Sequence, residues 1–157
     1  MKININAQRA VLLLTPLDLS ELKQILSVML NALGYKDAHG WVLNVCLVDD
    51  NTIEEYNNSL FALSGPTNVL SFPAGEQDSL EKLQYVKLIG ELVLSVDTVK
   101  RESFLYGQDE REHFLWLLAH GLAHLGSPEQ LKAGGLDHGE IHDNLSQKAF
   151  ESVTLFI

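Results

Sequence analysis

Between Phe114 and Leu125 almost every residue is apolar, and the two exceptions to interrupt it as polar side chains are His120 and His124. A helix that is hydrophobic on all sides belongs in the interior of a fold. Histidines four apart on such a helix share one face, about one turn from each other. Each ring brings two nitrogens that need partners, and an unpaired buried polar atom costs roughly 1–3 kcal/mol. One histidine on an apolar face is ordinarily a core residue satisfied by a single hydrogen bond. A pair at this spacing is better satisfied by a metal ion, which takes one nitrogen from each ring. A third histidine, His138 in Gly135-Leu136-Asp137-His138, can complete a three-nitrogen set. Three protein ligands with an open position is the layout of a catalytic zinc site, whereas structural sites are closed by four. His142 lies four residues after His138 and is its rival.

Gly121 stands between the paired histidines. Glycine inside a helix costs about 0.8–1 kcal/mol against alanine, so its presence signals a close approach of another chain segment or a ligand. It also separates two chemistries. In the His-Glu-x-x-His pattern of zinc peptidases the glutamate beside the first ligand is the general base. Glycine cannot serve so, and peptidase chemistry is set aside. His113 falls almost on the same helix face but about 10 Å along the axis, too far for the same site.

The remaining chain supplies elements on both kinds of periodicity. Strands are expected at Lys2–Asn6, Trp41–Val48, Thr67–Phe72 and Leu88–Val96, and Gly90 marks a bulge or a close backbone approach. Helices are expected over Leu17–Leu33, from Asp50 through Asn57, over Asp97–Tyr106, from Asp109 through the histidine pair, and from near Gly139 to the end. Asp109 followed by Glu112 reads as an aspartate-led capping pair. Strands and helices interleave irregularly, which places the class as α+β or a mixed α/β sandwich. Trp41 and Trp116 are read as core residues.

At 157 residues the chain suits one domain, and its single cysteine, Cys46, excludes an internal disulfide or a cysteine cage. The absence of a secretory pattern at Met1–Asn6 and of any membrane-length apolar run fits a cytoplasmic location. A formal net charge of −10 argues against bulk electrostatic binding of nucleic acid. A bound divalent ion can nevertheless be the dominant local charge in its cleft.

Three segments, in order, resemble the YbeY-type endoribonucleases, the bacterial ribosomal-RNA maturation factors. They are Thr67-Asn68-Val69-Leu70-Ser71-Phe72-Pro73, Ile89-Gly90-Glu91-Leu92-Val93-Leu94-Ser95, and the histidine signature running from His120 to His138. The resemblance implies one α+β domain over residues 1–157, with a small mixed sheet packed by about five helices and a zincin-like helix at the metal. It implies one zinc ion held by His120, His124 and His138. It further implies cleavage of single-stranded RNA, in 3′-end maturation of small-subunit rRNA and in ribosome quality control, with the small ribosomal subunit and its assembly factors as partners. Glu91 and Asp137 are the carboxylates considered for orienting a ligand or water. Asp137 has the better claim as neighbour of a ligand, and a helix cap is its bland alternative. Ser71 and Ser95 are candidate cleft hydroxyls.

Two features depart from the family pattern. About eight residues, Gly126 to Ala133, are inserted before the third histidine. Phe61 stands six positions before Thr67, where the family carries an arginine; Asn57 matches the asparagine of the preceding helix. Lys87, Lys100 and Arg101 are the basic residues near these segments in sequence. A metal-dependent hydrolase of another substrate, and a zinc-stabilised, non-catalytic ribosome-associated factor, remain open as alternative functions.

Overall fold

The computed structural model describes residues 1–36, 40–74, 87–132 and 139–157, with the side chains of residues 131 and 132 left aside. Among the described residues four strands form one sheet in the order β1-β2-β4-β3. They are β1 (Lys2–Ala7), β2 (Trp41–Val48), β3 (Val69–Pro73) and β4 (Lys87–Ser95). β1, β2 and β4 run parallel and β3 runs antiparallel to β4, so the sheet is mixed. On β2 the alternation is clean: Leu43, Val45 and Leu47 enter the core while Asn44 and Cys46 face the other way. Pro73 is tolerated at the end of β3 because, among the described residues, β3 is an edge strand with no ladder on its outer side. β4 carries an irregularity opposite Val42 and Leu43, whose partners are Leu88 and Gly90, so Ile89 is the extra residue.

Seven helices are found among the described residues: α1 (Arg9–Leu14), α2 (Leu19–Ala32), α3 (Asp50–Phe61), α4 (Val96–Tyr106), α5 (Glu110–Leu125), α6 (Pro128–Lys132) and α7 (Glu140–Glu151). The five expected helices are all present, and the α+β class is borne out. α1 and α6 are additions. α1 is six residues of mostly apolar sequence, too short to display a period. α6 lies inside the inserted segment and had a readable signal, Ser127-Pro128-Glu129-Gln130. The Gln130 N–H donates to Ser127 Oγ at 3.3 Å and the Ser127 N–H donates to Gln130 Oε1 at 3.1 Å. That is a reciprocal capping box with proline at the first helical position.

α5 is the central helix. Its start is fixed by Asp109, whose carboxylate accepts the Glu112 N–H at 3.0 Å. Its end is fixed by the buried Tyr35 hydroxyl, which donates to the Gly126 carbonyl at 2.7 Å. Burial pushes that phenol's pKa well above its usual range, so it remains a donor at all ordinary pH. Phe114, Leu115, Leu118, Ala119, Leu122 and Leu125 join α2 residues and the β2 and β4 side chains in one core. Full burial of each large side chain contributes about 1.5–3 kcal/mol. Trp116 corrects the reading as core: it is 37% exposed and meets Phe150 of α7 edge to face. Its helical position points it outward between α5 and α7.

Candidate metal centre

α5 presents His120 and His124 as their spacing requires, with Nε2 atoms 3.2 Å apart. α7 packs along α5 and delivers His142 from its first turn. The ring of His142 stands 4.7 Å from that of His120 and 4.0 Å from that of His124, centroid to centroid. One ligand nitrogen from each of the three rings lies within 4.8 Å of the others. His138, the expected third member, and Asp137 lie outside the described residues; among the described residues His142 is the histidine that joins the pair.

The donor set fits a metal ion. Two nitrogens bound tetrahedrally at about 2.0–2.1 Å stand roughly 3.3 Å apart, close to the His120–His124 separation. A shared proton between those two rings would explain their approach alone. It would not explain His142, which is 8% exposed and whose Nε2 has no hydrogen-bond partner among the described residues. A buried nitrogen without a partner is costly, and a cation between the three rings satisfies it. Burial first, and then the neighbouring His142, lower the His120 pKa, with Asp143 opposing. Both causes favour the neutral imidazole, the form with a lone pair to give.

Beside the cluster lies a cleft of about 280 Å³, walled by Phe61, residues 68–71, Pro73, His120 and His124. Ser71 Oγ donates to the Gly121 carbonyl at 2.9 Å, which ties the edge strand to the histidine helix. The reason for Gly121 is now visible. A Cβ there would stand 3.0 Å from Val69 Cγ2 and 3.1 Å from Leu92 Cδ2. Close packing of α5 on β3 and β4 explains this glycine.

Other residues singled out in the sequence are placed elsewhere. Glu91 is paired across the ladder with Phe72, whereas Ser71 is paired with Leu92. Strand alternation thus puts Glu91 on the sheet face away from α5. There it accepts a long bond from Cys46 Sγ at 3.7 Å. Burial and then the Glu91 charge raise the Cys46 pKa and keep it a thiol. Ser95 caps α4 and donates to Asp50. His113 pairs with Glu102 at 2.7 Å, and Glu102 in turn accepts from Asn68 at 3.1 Å. His113 thus braces the start of β3 at second hand. Asn57 is buried and donates to the Gly65 carbonyl, anchoring the loop into β3. Arg101 is bound to Asp50 and Lys87 lies over the Trp41 ring. Among the described residues no lysine or arginine lines the cleft.

Known proteins share both sequence and fold with this chain. The family model described as Endoribonuclease YbeY matches residues 7–142. The Endoribonuclease YbeY of Nitratidesulfovibrio vulgaris is 36% identical over 152 residues, covering 87% of this chain and 85% of the relative. That of Oleidesulfovibrio alaskensis is 36% identical over 154 residues, covering 88% and 85%. The solution structure of TM1509 from Thermotoga maritima superposes with a TM-score of 0.60 over 96% of this chain and 88% of that one. At 24% identity it speaks for the fold. With the family match spanning most of the sequence, and both candidate third ligands within its reach, the chain belongs to the YbeY endoribonuclease family.

Proposed function

We propose that this chain is a zinc-dependent endoribonuclease that cleaves single-stranded RNA. Its setting is the cytoplasm, in 3′-end maturation of small-subunit rRNA and in ribosome quality control, with the small ribosomal subunit and its assembly factors as partners. Family membership supports RNA as the substrate class. The observation that carries the metal reading is the convergence of His120, His124 and His142, with the buried His142 Nε2 otherwise without a partner among the described residues.

His120, His124 and His142 would hold the ion, and imidazole nitrogens suit zinc among the available metals. When bound, the ion supplies Lewis-acid chemistry, stabilising charge that grows on phosphoryl oxygens and making water a stronger acid. The chain's own residues do the rest. The cleft along β3 seats the substrate strand. Ser71, whose proton is committed to Gly121, offers its oxygen as an acceptor at the cleft wall. Asp137, beside His138 in sequence, keeps its claim to orient a ligand or water only if His138 is a ligand. Glu91 has no part in this assignment, because its carboxylate faces the other side of the sheet.

The test is elemental analysis of protein purified without chelators. About one zinc per chain is expected, lost in His120→Ala and His124→Ala. His142→Ala should abolish occupancy while His138→Ala keeps it; the reverse result would give the third position to His138. Folded protein that takes up no zinc from excess sinks the metal reading. Zinc-loaded protein should then cut a single-stranded oligoribonucleotide and leave its duplex intact. The loss of the family arginine at Phe61 favours one second reading, a zinc-stabilised ribosome-associated factor without cleavage. Loaded protein that binds ribosomes and leaves every RNA whole would establish it.

A further inference from the structure

Phe61 is the last residue of α3 and remains 48% exposed at the wall of the cleft. A scattered exposed apolar side chain needs no explanation, but this ring is held. It stacks on Phe72 with planes 14° apart and centroids 6.1 Å apart, and Phe72 in turn meets Tyr56 at 6.4 Å. Those separations fall in the range of offset aromatic pairs. The backbone behind it is also held. Ala62 takes the left-handed conformation at φ 53, and its N–H bonds back to the carbonyls of Asn57 and Asn58. Phe61 is therefore a rigid, half-exposed aromatic surface that shares a cleft with two of the clustered histidines.

The charges point the same way. The chain carries a formal net charge of −10, and no lysine or arginine among the described residues lines this cleft. Arg101 is committed to Asp50 and Arg111 to Glu21. Among the described residues a phosphate clamp has no cationic side chain to be built from here. Stacking needs none, since every base has a π-face and only an unpaired base can offer it. The geometry points to Phe61, braced by Phe72, as a stacking platform for one unpaired base of a single-stranded RNA beside His120 and His124. It rests on the endoribonuclease reading above, and gives this chain a grip on bases in place of the phosphate contact an arginine would make.

The zinc-loaded chain is tested by equilibrium binding of a phosphorothioate-protected single-stranded RNA, with an abasic nucleotide moved along the RNA. Phe61→Ala should weaken binding about 5- to 100-fold without changing its salt dependence. Phe61→Trp should bind at least as well as the parent. Phe61→Arg should steepen the log–log salt dependence by about 0.7, one added phosphate contact. One abasic position should weaken the parent by a similar factor and cost Phe61→Ala nothing more, since the two changes remove one contact. The abasic series reads the contact from the RNA side and holds even if a variant folds poorly. Phe61→Ala that is folded and binds like the parent overturns the platform. So does a Phe61→Trp loss as large as that of alanine. A zinc-loaded parent that binds no single-stranded RNA, with all variants equally silent, overturns the endoribonuclease reading itself.

Discussion

At the scale of single residues, two glycines mark where the fold closes on itself. Gly90 has φ +155, and a Cβ there would lie 2.6 Å from the Phe72 carbonyl oxygen and 2.8 Å from a Leu125 methyl. Backbone cannot yield as a side-chain tip can. A Cβ at Gly121 would meet only side-chain atoms, the Val69 and Leu92 methyls at 3.0 and 3.1 Å and Ser71 Oγ at 3.4 Å. Gly90→Ala should therefore cost about 3 kcal/mol or more, combining overpacking with a strained backbone. Gly121→Ala should cost about 1 kcal/mol net, because helix propensity returns part of the overpacking. It should also weaken metal binding by disturbing the Ser71 tie to the histidine helix. Thermal unfolding and a zinc titration of both variants check the order. A Gly121→Ala protein more stable than its parent would mean that propensity alone governs that site. Both glycines stood out in the sequence as close approaches, yet the atoms approaching them lie on elements distant in sequence.

At the scale of elements, α3 and α4 are braced at their N-termini by an exchange of carboxylates. Asp50 accepts from Ser95 at 2.8 Å, Thr98 at 2.6 Å and Arg101 at 2.8 Å, and the Asp50 N–H donates to Asp97 at 3.0 Å. Burial tends to raise the Asp50 pKa, but the bonds from Arg101, Thr98 and Ser95 together outweigh it and hold it below the usual carboxylate value. A depressed folded-state pKa gives stability that is present above the unfolded value, about 3.9, and is lost as pH falls through the folded one. Asp50→Asn should cost on the order of 1–2 kcal/mol at pH 7, the modest figure reflecting the exposed side of the Arg101 pair. The deficit should shrink as the pH drops below about 4. Urea unfolding of both proteins across pH 2 to 7 reads this directly, and a deficit constant down to pH 2 would rule out the carboxylate as its source.

At the scale of the whole molecule, the histidine cluster joins two helices that the chain separates by an insertion. On the proposed assignment a metal ion there would cross-link α5 to α7 and bind only the folded arrangement. Zinc at a thousandfold excess over its dissociation constant adds about 4 kcal/mol. For a chain of this size that corresponds to a rise in Tm of roughly 8–16 °C. Chelation should reverse the rise, and His120→Ala should not show it; calorimetry with and without zinc decides. Among the described residues no helix is long and apolar enough to cross a membrane.

What the sequence determined by itself was whatever depends on near neighbours. Periodicity located β2 to the residue and α5 with its aspartate cap, and helical spacing put His120 and His124 on one face. These features follow from backbone geometry over a few residues, and packing only reinforced them. The exposure of Trp116, the turn of Glu91 toward Cys46 and the arrival of His142 were decided by the tertiary structure. Each depends on which face of an element meets which partner, and the direct distance between two helices is not written in the spacing of either. The inserted segment makes the point sharply. The Gly135-Leu136-Asp137-His138 motif pointed to His138, while the packing of α7 on α5 brings a buried nitrogen of His142 to the pair.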